Sequence, residues 1–294
     1  MRNWGGKYVA PKTPETMKTI KDIETGGERP FFAEHDLRLE NVTIHEGESA
    51  LKECGNIVAD GCRFEGRYPF WHNDNFEIHR SHFTVDSRAP LWYSRHMLMT
   101  HTEVLAPKSL REMEHLRLEN VQFPQAVETL WHCKHITLKD VTACGADYFM
   151  FHCDDIDIDN LHLTGNSTFQ YCNRVVVRNS VLDTKDAFWM THDVLLENCL
   201  VKGEYLAWHS HNLKMVNCHI TGTQPLCYAH NLVLENCTMG PDADLAFEYS
   251  SVNATINSHV ASVKNPLTGR IKADGYGEII LDENLKAPGD CVIE

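Results

Sequence analysis

The 294-residue chain has no apolar run near the roughly 18 residues that a membrane-spanning helix needs. Its start, Met1-Arg2-Asn3-Trp4-Gly5-Gly6, carries no apolar signal core. A soluble, cytoplasmic protein with no membrane partner is expected. Positive charge is short: 27 Lys and Arg stand against 41 Asp and Glu, a formal charge of -14. Nucleic acid binds to basic faces, so it is excluded as a partner, and polyanionic ligands are disfavoured. A Gly-rich phosphate loop, a Gly-x-Ser-x-Gly elbow and Rossmann spacing are all missing, so no nucleotide cofactor and no serine-hydrolase chemistry are expected. The eleven cysteines are odd in number and do not by themselves describe a secreted disulfide framework.

What the chain has in quantity is repetition. Leu37-Arg38-Leu39-Glu40-Asn41-Val42, Leu116-Arg117-Leu118-Glu119-Asn120-Val121 and Leu232-Val233-Leu234-Glu235-Asn236-Cys237 are near copies. Weaker copies start at Ile57, Phe76, Met97, Ile136, Ile156, Val175, Val194 and Leu213, with a degenerate one near Asn253. Within a copy, apolar and polar residues alternate, the pattern of a strand with one buried face. Then comes a bend residue, most often Asn: Asn41, Asn120, Asn160, Asn179, Asn198, Asn217 and Asn236, with Asp140 and Gly61 as variants. Such residues tolerate left-handed backbone, and the apolar phase shifts by one after each of them. A third apolar segment precedes each copy, its first residues running from Phe31 and Leu51 through Leu130 and Phe188 to Phe247. Three short strands per repeat predict an all-β, right-handed parallel β-helix of about twelve coils, each stacked on its neighbours. One domain over residues 1–294 is expected: an N-terminal cap (1–28), coils (29–261) and a C-terminal cap or tail (262–294).

These coils with their Asn bends resemble the pectin-lyase-like superfamily over residues 28–260. The wording of the coils, with aromatic-His segments such as Trp131-His132-Cys133, is similar to a bacterial right-handed β-helix branch sometimes labelled sugar hydrolase. The resemblance implies the fold and a carbohydrate ligand. It does not carry the polygalacturonase residues across: of those motifs only Asp154-Asp155 has a counterpart. Arg270-Ile271-Lys272 mimics another family tripeptide but lies outside the repeats.

Equivalent positions of stacked coils form rows. The residue after the inward-facing anchor is expected to face outward, and there Trp71, Trp92, Trp131, Phe151, Trp189 and Trp208 recur, with Arg111 among them. Flat aromatic faces suit sugar rings; cover by a cap or by a second subunit is the other reading. The next row, His72, Tyr93, His132, His152, Tyr171, His209, Tyr228 and Tyr249, is either a hydrogen-bonded ladder or a groove wall of acids and bases. Glu128, Asp147, Asp186, Glu204 and Asp244 sit just upstream of the Trp segment, with Arg67 and Arg88 at the other end of the same row. Glycoside hydrolysis needs two carboxyls about 5–9.5 Å apart, which neighbouring or next-but-one coils can supply. The sequence therefore nominates Asp186, Glu204, Asp147 and His152 as catalytic. Trp71, Trp92, Trp131, Phe151, Trp189, Trp208 and Arg88 are the substrate contacts. The reaction is read as hydrolysis of an oligo- or polysaccharide, neutral sugar before polyuronate, and a lyase only after that. The competing class is a non-catalytic scaffold or binding protein whose Trp row is buried by a cap or in a homo-oligomer. No metal is assigned. Cys133, Cys153 and Cys172, like Cys199, Cys218 and Cys237, read as stacked core thiols; His192, His211 and His230 read as a solvated turn stack or as a metal or acid-base cluster.

Overall fold

The structure, a computed structural model, describes residues 17–283, 285 and 289–294; the rest of the expected N-terminal cap lies outside them. Short strands in parallel register build about fourteen turns of β-solenoid. Among the described residues the one helical piece is a 3-10 turn at Val85–Ser87. Two compact units divide the chain, Met1–Gly145 and Ala146–Glu294.

In the first unit the repeat starts are register partners: Leu37 with Ile57, Ile57 with Phe76, Phe76 with Met97, Met97 with Leu116 and Leu116 with Ile136. In the second, Ile156 pairs with Val175, Val175 with Val194 and Val194 with Leu213. The two turns beyond the expected twelve come from the ends. Lys18–Lys21 and Glu24–Glu28 pair with His35–Glu40 and Thr43–Glu48. Thr268–Ile280 pairs with Ser251–Lys264 along most of its length. These terminal coils keep the backbone ladder but bury few side chains, so the apolar pattern that marks the inner coils is faint in them.

The inward residues are closed to solvent. Leu37, Leu39 and Val42 are all 0% exposed, as are Phe70, Phe169 and Phe188. Phenylalanines of successive coils stack inside, with Phe169 and Phe188 4.6 Å apart at 5°. At the bend, all seven repeat asparagines have positive φ, between 52° and 60°. Their side chains then link coil to coil: the Asn198 amide donates to Asn179 Oδ1 at 3.3 Å and that of Asn217 to Asn198 Oδ1 at 3.1 Å. The same backbone form recurs at other corners with bulkier residues, among them Leu130, Met150 and Phe188. Left-handed backbone costs an L-residue about 1–2 kcal/mol; the ladder that each corner joins offsets it.

The third segment departs from the expected strand. Among the described residues only Phe70–Trp71 and Leu91–Trp92 pair as strands there, and single bridges continue from Trp92 to Arg111 and from Arg111 to Trp131. Further along, the inward anchor and the residue after the aromatic both have positive φ, as at Phe188 and Met190 or Ala207 and His209. Two reversals bracket one extended residue, so strict alternation fails. The following row consequently points out: His72, Tyr93, His132, His152, Tyr171 and His209 are exposed.

The cysteines have a job that the spacing alone did not reveal. Several cysteines and serines that follow a corner turn inward and cap a carbonyl two residues back. Cys199 Sγ donates to the carbonyl of Glu197 at 3.3 Å and Cys133 Sγ to that of Trp131 at 3.4 Å. In equivalent places Ser180 and Ser94 donate to Arg178 and Trp92 at 2.6 and 3.0 Å. Thiol and hydroxyl both serve, and in other coils Val42, Val121 and Leu161 fill the same place by packing alone. All eleven thiols are free, and only Cys144 and Cys291 reach solvent. Burial pushes Cys54 and Cys227 up to about 12.

Two outcomes are expected. Asn198→Gly is tolerated, while Asn198→Ala destabilises by about 1–2 kcal/mol in urea unfolding, because only the latter adds left-handed strain while both lose the amide link. Thiol titration of the native protein labels Cys144 at once and Cys291 more slowly; the remaining nine react only after denaturant, since their thiols are buried.

Candidate functional site

In the first unit, Trp71 and Trp92 lie half-buried on the outside of the coil, 5.3 Å apart and parallel within 6°. Arg111 continues the pile, its guanidinium carbon 5.0 Å from the Trp92 ring centre and 4.2 Å from that of Trp131. In the second unit, Trp189 and Trp208 stack 5.6 Å apart at 5°. Every spacing is close to the distance between coils, about 4.8 Å. The rings therefore lie across the solenoid like rungs. Their faces meet each other and their edges meet solvent. The indole N–H groups are also engaged: Trp71 donates to the carbonyl of Ala89 at 2.8 Å, Trp92 to Lys108 at 2.7 Å, Trp189 to Tyr205 at 2.7 Å and Trp208 to Gln224 at 2.8 Å. The row is built into the wall of the coil and presents its edges outward.

The next row is similar. His152 stacks on Tyr171 at 4.6 Å and 8°, and His209 on Tyr228 at 4.9 Å and 18°. Phe151 is half-buried and meets His152 edge-on at 4.5 Å. Since this row is exposed, its ring nitrogens and phenol oxygens form a polar strip beside the indole edges. Alternation alone left its facing open; the pair of left-handed residues around each aromatic decides it.

The acids fall into two neighbouring columns. Register pairs Asn166 with Lys185, and the Lys185 ammonium lies 3.1 Å from a Glu204 oxygen. Asp147, on the coil below, accepts from Asn166 at two donors, its backbone N at 3.0 Å and Nδ2 at 2.9 Å. Asp147 thus ties its coil to the next. Asp186 belongs to the adjacent column. Its backbone N–H donates to the Glu204 carbonyl at 2.9 Å, which fixes the two acids on successive coils. Its carboxyl is half-buried and accepts no hydrogen bond from a described residue. Burial raises its pKa, the Glu204 charge adds to that, and the Lys185 charge only partly opposes it. Lys185 is itself raised by its hydrogen bond to Glu204 and lies 5.1 Å from the Tyr205 ring centre.

The first unit holds a contrasting acid. Burial pushes Glu128 up, but hydrogen bonds from Lys108 and Arg111 outweigh this and hold its carboxyl below the usual range. Glu128 anchors the guanidinium that sits between two indoles. Arg88 is exposed in the turn ahead of Leu91–Trp92. A backbone feature shapes the approach to Glu204. Gly203 has φ +136°, and a Cβ there would lie 2.3 Å from the Thr184 carbonyl oxygen, so only glycine lets the coils close up beside this acid.

The chain belongs to a protein family described as Protein of unknown function (DUF3737), whose model matches residues 18–294. No curated protein sequence matches it. Among solved structures, it is similar to PfbA, a surface adhesin of Streptococcus pneumoniae, at 10% identity and a TM-score of 0.46, over 88% of this chain and 85% of that one. The A-module of the Azotobacter vinelandii mannuronan C-5 epimerase AlgE6 is 10% identical with a TM-score of 0.31, over 95% of this chain and 90% of that one. The tailspike of Escherichia coli bacteriophage HK620, solved with a hexasaccharide, is 8% identical with a TM-score of 0.30, over 89% of this chain and 53% of that one.

The Asp186 environment has a measurable consequence. A folded-state pKa raised above the unfolded value means that ionisation costs the folded state free energy. The penalty is absent below the unfolded carboxyl pKa, grows as pH rises through the window between the two pKa values, and persists above it. Asp186→Asn is therefore expected to leave the melting temperature unchanged or slightly higher at pH 7.5, measured by calorimetry. A clear fall would assign the carboxylate to structure instead.

Proposed function

We propose that the protein binds a neutral oligo- or polysaccharide along the aromatic edge of its coils and hydrolyses a glycosidic bond, with Asp186 as the proton donor. The observation that carries this is the pairing of unlike carboxyls on successive coils. Asp186 is half-buried, without a hydrogen-bond partner among the described residues and raised in pKa, while Glu204 is exposed and ion-paired to Lys185. Separating the environments of two acids is how a site assigns one as acid and the other as nucleophile or base. Adjacent coils suit the shorter, retaining separation of about 5–5.5 Å. Asp147, occupied by Asn166, is the weaker partner for an inverting pair. His152 and His209 supply exposed ring nitrogens next to the indole edges for sugar hydroxyls. The edges of Phe151, Trp189 and Trp208 extend the contact surface in the second unit, and Trp71, Trp92 and Trp131, with Arg88, offer a contact edge of their own in the first. The free, carbonyl-capping thiols suit a reducing compartment such as the cytoplasm.

A second reading, a non-catalytic scaffold that works as a homo-oligomer, has one observation in its favour. The indole faces are already filled by their own stack, so the row completes the fold without a ligand.

A panel of neutral oligosaccharides, scored for reducing-end release, separates the two. The expected result is turnover that falls by about 10²–10⁴ in Asp186→Asn, the scale of general-acid catalysis. It should also decline as pH rises through the raised Asp186 pKa, because the donor is then lost. Trp189→Ala should weaken binding as well. Turnover that survives both substitutions rejects this site. A protein that binds no sugar and elutes as a stable oligomer supports the scaffold.

A further inference from the structure

Two columns of imidazoles stand apart from the acidic site. In the first unit His96, His115 and His135 stack face to face, 4.9 Å apart at 7° and 4.6 Å apart at 11°. In the second, His192, His211 and His230 stack 4.7 Å apart at 10° and 4.7 Å apart at 22°. Rings piled with parallel planes aim their nitrogen lone pairs side by side and not at a common point. The arrangement is a poor chelate and a good capacitor. A neutral pile gains ring stacking, whereas two adjacent imidazolium ions less than 5 Å apart repel each other.

We propose that the two histidine ladders are acid-sensitive fasteners: neutral, they clamp three successive coils in each unit, and mild acid charges them and loosens those coils. The surroundings bear this out. His115 is flanked by His96 below and His135 above, with Arg95, Glu114 and Lys134 in the adjoining column. Partial burial and then the two neighbouring histidines lower its pKa, against a smaller upward pull from Glu114. At the lower end, His96 Nδ1 bonds Asp74 at 2.8 Å, and Asp74 also takes Arg95 at 2.8 Å.

The second ladder has His209 in the preceding turn and Asp193, Asn212 and Asn231 in the adjoining column. Asp193 is taken up by Asn212 at 2.8 Å. Burial, then His230, His192 and His209, lower the His211 pKa. With no carboxylate bonded to its rings among the described residues, it is the more acid-sensitive of the two.

The sign follows from linkage. Above the ordinary imidazole range, about pH 6.5, both folded and unfolded chains are neutral at these positions. As pH falls, the unfolded chain takes up protons first, so unfolding gains ground until the folded pKa is passed. Each unit of depression is a tenfold change in the unfolding constant, by about 1.36 kcal/mol per unit.

The test uses a substitution that the fold already contains. Asn173 is the register partner of His192, in the same column, and Asn75 occupies the column of His96. Urea unfolding is measured at pH 7.5 and 5.0 for the wild type, His211→Asn and His115→Asn. The acid-induced rise in the unfolding constant should shrink by about tenfold in His211→Asn, and by less in His115→Asn. Both variants following the wild type would overturn the proposal. Proton NMR titration of the wild-type histidines stands independently of any variant. His115 and His211 should titrate below the outer members of their ladders; titration at or above the ordinary imidazole value would overturn it too.

Discussion

The spacing of a parallel backbone ladder governs this molecule. Once each coil donates to and accepts from its neighbours along residues such as Val175, Val194 and Leu213, equivalent side chains cannot avoid one another. They meet at about 4.8 Å, whether or not they attract. Each column must therefore hold residues that tolerate their own kind. Leu and Phe do so by packing, Asn by passing an amide hydrogen bond along the row, Trp by stacking and Cys by turning inward to a carbonyl. Charge is the exception, and in several columns the structure pairs it. Lys185 meets Glu204, Arg174 meets Asp155 and Lys214 meets Glu235 at 2.8 Å.

The acids show how the same rule creates chemistry. Glu128 enters its column between Lys108 and Arg111 and is neutralised in place. Asp186 enters one beside Tyr205, and the nearest cation, Lys185, is committed to Glu204. It is left half-buried without a bonded partner among the described residues, and its pKa is raised.

Much of the fold was legible because the ladder repeats its requirements. Asn41, Asn120 and Asn198 mark their bends by residue type, and alternating Leu37-Arg38-Leu39 marks the face. The starts of the inner coils read from sequence are the register partners in the structure. The terminal coils were not legible, since Glu24–Glu28, with two glycines, pairs by backbone and buries little. Nor was the turn around each Trp, where Phe188 and Met190 take left-handed backbone despite poor intrinsic preference. The outward turn of the His and Tyr row follows from that backbone, as does the edge-on display of the indoles. The candidate acids were visible as residue types, but their division into two columns depends on register. One signal could have been read and was not: Ser94, Cys133 and Cys172 alternate at one position, which points to a shared donor role.

The repeat length has a consequence of another kind. Val175, Val194 and Leu213 are register partners spaced by nineteen residues, so these coils are interchangeable in backbone terms. A chain that lost or doubled one such segment would keep every column in phase, merely shortening or lengthening each row by one member. Insertions inside a strand would throw Asn onto Leu and Trp onto His, whereas coils one or two residues longer, such as Leu37 to Ile57 and Phe76 to Met97, stay in register. Length in this architecture is thus inherited in whole quanta, and the number of rungs in a stack such as Trp189 and Trp208 can change by recombination while the corner chemistry remains fixed.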